Sequence, residues 1–288
     1  MGIQSIFFVF IFLLNNSEVN LISNRYFDIY YPPERKEVAM DISDYSVGEL
    51  ERISGNLYIT STEKIRISIL NEKEFNKKYG SFLPEWGVGF AIPEQDLILL
   101  KFPISFSKPS RIKFIVGHEI AHILIHRKAQ VSIPRWFDEG AAIYLSKEPN
   151  FIDEIKLATA IIFRKIIPLK NLEETFPTST SLVNLAYIES ASTIQYLTSE
   201  YGPYILNQIL NETRVLKDFR KGFLVATGID LTLFQIEWNN WLRKRFTLTF
   251  LLKPNILFLL IAILVLIIGI KSRLRRTSSR SIDECIED

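Results

Sequence analysis

The sequence predicts an α+β domain that turns helical near Ser110 and closes on one uncharged helix. Three observations carry this. Stretches with strand-like alternation or apolar runs joined by turn residues are confined to positions before about 102. From Ser110 onward apolar residues recur at helical spacing, interrupted only by short turn-forming segments. Strands first and helices after is the order of an α+β domain, not of a doubly wound parallel sheet. Near the C-terminus "NILFLLIAILVLIIGI" (255–270) carries no charge at all.

Taken in order, residues 3–14, "IQSIFFVFIFLL", are too short to span a bilayer and are followed by polar "NNSEVN", as in a signal peptide, so residues 1–22 are assigned to one. "YFDIYYPP" (26–33) is a strand stopped by two prolines. "EVAMDISDYSVGELERIS" (37–54) is an amphipathic helix with apolar residues at 38, 42, 45, 50 and 53. "KIRISIL" (64–70) alternates as a half-buried strand does, and "NEKEFNKKYG" after it is a short helix closed by Gly80. "EWGVGFAIPEQDLILLKF" (85–102) holds two apolar runs joined by "PEQD", a hairpin. The helical part then breaks at "VSIP", "EPN", "FPTSTS", "EYGP" and "ATGID", which bounds the folded domain at 23–245.

Residues 254–271 are expected to form a transmembrane helix, with Lys253 snorkelling, "TLTFLL" extending it, and 272–288 a short basic and acidic tail. Lys271, Arg273, Arg275, Arg276 and Arg280 follow the run, which by the positive-inside rule places the tail in the cytoplasm. The expected protein is therefore single-pass in the cell membrane, its main domain outside the cytoplasm, with the lipid bilayer as a partner. The tail either touches anionic lipid or only fixes topology.

Composition removes several classes. With 48% hydrophobic residues the chain can bury a full core. The 34 basic and 32 acidic residues leave a net charge of +2, far from the positive field that nucleic acid requires, so no nucleic-acid partner is expected. The one cysteine, Cys285, excludes an internal disulfide and any cysteine-built metal site.

All three histidines fall in "FIVGHEIAHILIH" (114–126). On a helix from Ser110, residues 112, 115, 116, 120, 123 and 124 form the apolar stripe, and His118 and His122 lie off it. Four apart, these two imidazoles point the same way from successive turns and can reach one ion. Glu119 stands about 100° round the helix from His118, where its carboxylate meets a metal-held water and not the metal. This is H-E-x-x-H: two zinc ligands and a general base. A third histidine at the ten-residue offset of "HExxHxxGxxH" is missing, and His126 is one turn too far, a packing or orienting residue. The third ligand is instead sought in "IPRWFDEGAAIYL" (133–145). Glu139, just before Gly140 and Ala141, completes a His₂Glu set with one open position, and Asp138 serves to orient a histidine.

"HEIAH" followed by "IPRWFDEGAA" resembles the gluzincin zinc metallopeptidases, and most of all the small bacterial peptidase MA-like proteins. A third, weaker element, "AYIESASTIQYLTSEYG" (186–202), is similar to the family's "Y-x-x-S" helix ending in "YG". The resemblance covers about residues 26–245. It implies a zincin-like metallopeptidase domain, bound Zn²⁺, and a peptide or protein as substrate. It implies further that the hairpin at 86–100 carries an edge strand pairing with extended substrate. A tyrosine is implied as the donor that stabilises the developing oxyanion: Tyr187 by family position, with Tyr144 as its rival. The expected function is hydrolysis of peptide bonds by zinc-activated water, with Glu119 as base. The alternative is a catalytically inactive zincin-fold scaffold at the membrane surface. An intramembrane protease is opposed by Arg111, Lys113 and Arg127 around the histidine run. No "GxMEN"-type strand for a free amino terminus occurs, so endopeptidase and carboxylate-end trimming both stay open.

Overall fold

The computed structural model describes residues 19–60, 63–79, 88–102, 109–147, 151–247 and 254–283. Residues 1–18, on which most of the expected signal peptide falls, lie outside them. Asn20, Leu21 and Ile22, at that segment's expected end, belong to the first strand.

Five strands form one sheet: β1 (Asn20–Ser23), β2 (Phe27–Tyr31), β3 (Ile65–Asn71), β4 (Gly89–Ile92) and β5 (Leu97–Phe102), in the order β1-β2-β3-β5-β4. β2, β3 and β5 run parallel, while β1 and β4 lie antiparallel on the two edges. The hairpin expected over 85–102 is β4–β5, turned by a 3-10 segment at Pro93–Gln95 and by Asp96 in the left-handed region (φ 49°). Glu85, Trp86 and Gly87 at its start lie outside the described residues.

β3 departs from the half-buried strand that its alternation predicts: Ile65, Ile67, Ser68, Ile69 and Leu70 are all buried. The reason is position. β3 is central, and both faces of the sheet are covered. On one face helix α1 (Lys36–Leu57) lays Ile42, Leu50, Ile53 and Leu57 against Ile65, Ile67, Ile98 and Leu100. On the other, α2 (Glu72–Tyr79) closes a smaller cluster of Leu70, Phe75, Tyr79, Leu97 and Leu99. Alternate residues of β5 thus feed two cores, as a period of two demands.

The helical part comprises α3 (Pro109–Ala129), α4 (Arg135–Ser146), α5 (Phe151–Ile162), α6 (Thr180–Tyr201), α7 (Ile205–Leu216), α8 (Phe219–Thr227) and α9 (Leu231–Thr247). The whole predicted stripe of α3 is buried, and so are Ala121 and Ile125, because α1, α4, α7 and β4 surround it. α4 begins directly after Pro134, which supplies the extended residue a helix start requires (ψ 139°). Its Trp136 is fully buried, stacked on Phe234 of α9 at 5.9 Å and meeting Phe219 of α8 edge-on at 6.2 Å. This aromatic cluster ties the end of the domain to the segment that carries Glu139.

The expected transmembrane helix over 254–271 is not borne out: among the described residues no helix is long and apolar enough to cross a membrane. Helix α10 (Pro254–Asp283) is long, but its uncharged run covers only 255–270. At 1.5 Å per residue that is roughly 24 Å, short of a hydrocarbon layer of about 30 Å, and the helix continues without a break into Lys271 and Arg273. The "TLTFLL" extension lies almost wholly outside the described residues. The lipid bilayer was expected as a partner on the strength of this helix, and no described helix supports it.

Gly140 sets the spacing of α4 and α6. A Cβ built there sits on the Ser190 carbonyl, 2.6 Å from Ser190 C and 2.9 Å from Ile194 Cγ1. The obstacle is backbone, which cannot rotate away. Gly140→Ala is expected to destabilise the fold by about 2 kcal/mol and to lower its thermal midpoint; an unchanged midpoint would show that the helices have room to part.

Candidate metal centre

α3 presents His118 and His122 one turn apart toward α4, and α4 answers with Asp138 and Glu139 in its first turns. Small residues let the neighbouring helices pack closely behind these two. A Cβ at Gly117, just before His118, would lie 2.9 Å from Glu49 Oε2 of α1. Gly140 does the same for α4 against α6.

Among the described residues, His118, His122 and Glu139 form a group of side chains able to hold a metal ion, their ligand atoms all within 4.8 Å of one another. His122 Nε2 is 3.2 Å from His118 Nε2. Glu139 Oε2 is 3.5 Å from His122 Nε2 and 3.6 Å from His118 Nε2. Ligands at 2.0–2.1 Å from a tetrahedral zinc are separated by about 3.4 Å. The three edges thus already match that tetrahedron. Arg135 Nε lies 3.5 Å from the other oxygen, Oε1, so Glu139 turns a single oxygen toward the imidazoles.

Behind this trio stands a carboxylate shared by two imidazoles. Asp138 Oδ1 is 2.9 Å from His122 Nδ1, and Asp138 Oδ2 is 3.1 Å from His126 Nε2. When the imidazole is neutral and its Nδ1–H donates to Asp138, the His122 Nε2 lone pair is left for a metal. His126 thus meets Asp138 and stands outside the group formed by His118, His122 and Glu139. His118 lacks such support: its Nδ1 is buried and has no hydrogen-bond partner among the described residues.

The electrostatics favour a cation. Burial alone would lower the His122 pKa, yet Asp138 and Glu139 outweigh it and raise the imidazole well above its ordinary value. Burial likewise works to raise Glu139, but bonds from His118 and His122 hold it down at about 2. Asp138 is pulled below the usual carboxylate range by His122 and His126 against the same burial. Groups that hold a proton this firmly at a shared point would hold a divalent cation there instead.

Glu119 differs from the ligand carboxylate. It is buried, and burial raises its pKa although His118 and His122 pull the other way; Glu139 adds to the rise. The Ala91 main-chain N–H of β4 donates to it. The base candidate therefore lies against the sheet's edge strand.

Tyr187 projects from α6 into the same region. It hydrogen-bonds with Arg135 and feels both Glu139 and Glu119, and burial together with those carboxylates pushes its phenol above the ordinary tyrosine range. Its ring meets Phe176 at 5.0 Å, and the Arg135 guanidinium lies over that same Phe176. Tyr144 is 40% exposed, and among the described residues nothing joins it to the cluster. The sequence reading missed Arg135, although its spacing of four from Glu139 was a usable signal. It also missed Glu49, which is 3% exposed, bound to Arg52 and 3.5 Å from Lys113.

A His₂Glu centre with a glutamate beside it, set on two helices next to a mixed sheet, defines the zincin class of metallopeptidase fold. Residues 50–244 match the Peptidase MA superfamily, and the chain belongs to it. It is 27% identical over 133 residues to the uncharacterized protein YhcO of Bacillus subtilis (strain 168), covering 44% of this chain and 40% of that one. Among solved structures it resembles Legionella pneumophila aminopeptidase A at 15% identity and a TM-score of 0.46, covering 77% of this chain and 28% of that one. It also resembles yeast LTA4 hydrolase at 12% identity and 0.49, covering 80% and 37%. The chain spans well under half the length of each.

Two outcomes follow from this geometry. Asp138→Asn is expected to weaken zinc binding by roughly 10–100-fold, read by competition with a chelating dye; unchanged affinity would mean that Asp138 does not set the imidazole. Elsewhere on α6, Glu189 is fully buried and accepts from the Ile167 N–H, and burial pushes it up to about 8. A carboxyl raised above its unfolded pKa favours the fold at low pH, and that contribution is lost as pH rises through about 8. Denaturant titrations should show Glu189→Gln flattening this decline; identical slopes in both proteins would refute the assignment.

Proposed function

We propose that the chain hydrolyses peptide bonds as a zinc-dependent peptidase, with His118, His122 and Glu139 holding the metal and Glu119 as general base. The observation that carries the reading is the triangle of 3.2, 3.5 and 3.6 Å between three buried or half-buried ligand atoms, with a separate, raised-pKa carboxylate one residue from the first ligand. Bound zinc would polarise the scissile carbonyl and acidify a water molecule.

The chain's own groups then do the rest. Glu119 takes the proton from the attacking water and returns it to the leaving amine, and its raised pKa makes it the stronger base for the first of these transfers. Tyr187, kept protonated by burial, donates to the oxygen that becomes negative; Arg135 orients the phenol. β4 is an edge strand packed against α3, with Ala91 at Glu119. An extended peptide added along that edge would run its carbonyls past the base.

Glu119→Gln should bind zinc as the parent does while cleavage of a mixed peptide library falls by roughly 100-fold or more. His122→Ala should lose zinc and cleavage together. Near-parental turnover in Glu119→Gln would remove Glu119 from the base role; zinc without any cleavage in the parent protein would favour the inactive scaffold.

A further inference from the structure

Away from the metal centre, a cleft of about 480 Å³ opens where the ends of α1 and α3 meet α7. Its lining includes Arg127, Lys128 and Arg214, and among the described residues none that lines it is acidic. Arg127 is already engaged by Asp96 at 2.7 Å. The other two cations are not: among the described residues neither Lys128 nor Arg214 pairs with a carboxylate. Lys128 is 8% exposed, and its Nζ has only the Tyr58 carbonyl at 3.5 Å. Burial, with Arg214 opposite, lowers the pKa of its ammonium below the ordinary value. Two like charges facing one space, one of them desolvated, are unfavourable unless something negative stands between them.

The neutral lining fits the same occupant. Asn207 and Asn211 lie one turn apart on α7, and Asn211 Nδ2 donates to Asn207 Oδ1 at 3.4 Å, which leaves the Asn207 amide hydrogens for a ligand. Tyr58, held in the left-handed region at φ 50°, also lines the cleft, its main-chain carbonyl 3.5 Å from Lys128 Nζ. An arginine fork, a lysine point charge and an amide donor converging on one space are the set that a phosphate group satisfies, since it brings two charges and several acceptor oxygens at once. The volume exceeds a bare ion and suits a small organic molecule.

We propose that this cleft binds the dianionic phosphate group of a small phosphorylated molecule between Lys128 and Arg214. The site stands apart from the metal centre. Lys128 lies six residues beyond His122 on α3, roughly 9 Å along the axis, and the inference does not depend on the peptidase reading.

The test is calorimetric titration of the full chain with inorganic phosphate, at an ionic strength held constant with sodium chloride. Saturable binding is expected in the parent protein and about tenfold weaker binding in Arg214→Gln, whose exposed side chain can be replaced without opening the core. Acetate, with a single charge, should bind far more weakly than phosphate. Equal phosphate affinity in parent and Arg214→Gln overturns the proposal, as does an affinity for acetate matching that for phosphate. No saturable phosphate binding in the parent overturns it as well.

Discussion

Ionisable groups taken out of water must face one another, and the centre of this molecule is arranged to meet that demand. Glu139 and Asp138 leave solvent only because two imidazoles meet the first and two meet the second, with His122 common to both. The surrounding packing serves those encounters. Gly117 admits α1 against α3, Gly140 admits α6 against α4, and the Trp136–Phe234 stack clamps the first turn of α4 from behind. A carboxylate moved by an ångström would be a buried charge without a partner, several kcal/mol adverse. Fold and site are therefore one problem with one solution.

The sheet contributes placement more than mass. The β4–β5 hairpin is pinned to α3 at two points, one near the helix's C-terminal end and one at its middle. Arg127 holds Asp96, and the Ala91 N–H meets Glu119. Arg66 of β3 secures the same turn by donating to the Gln95 carbonyl at 2.7 Å. An edge strand is ordinarily the loosest part of a sheet. Here its position relative to Glu119 is set by bonds at the turn and along the strand.

What the sequence made legible was whatever local periodicity or fixed spacing encodes. The stripe of α3, the pair His118 and His122, the hairpin and the start of α4 after Pro134 all belong to this kind. Glu139 was legible because a carboxylate beside glycine and alanine marks a close helix approach. Interactions between distant segments were not. Glu49 reads as a solvated charge on an amphipathic helix, and only the arrival of Lys113 and Gly117 explains its burial. Tyr187 and Arg135 meet only once α6 crosses α4. The break between α7 and α8 was invisible for a different reason: Lys217 takes the left-handed conformation at φ 55°, a position where glycine is the usual marker. Asp218, which caps α8 by accepting from the Lys221 N–H, was the readable sign. The C-terminal helix shows the limit of hydropathy, which registers an apolar stretch more readily than whether it is long enough.

The chain places every imidazole it has in a single connected row, His118 against His122 and then, through Asp138, His126. Side chains that ordinarily titrate near neutrality are in most proteins scattered over the surface, where their signals blur together. In this one the imidazole proton resonances, and chemical modification directed at histidine, arise from the centre alone. The molecule carries its own reporter, and occupancy of the site can be followed in the intact protein with no label and no assignment of the remaining residues.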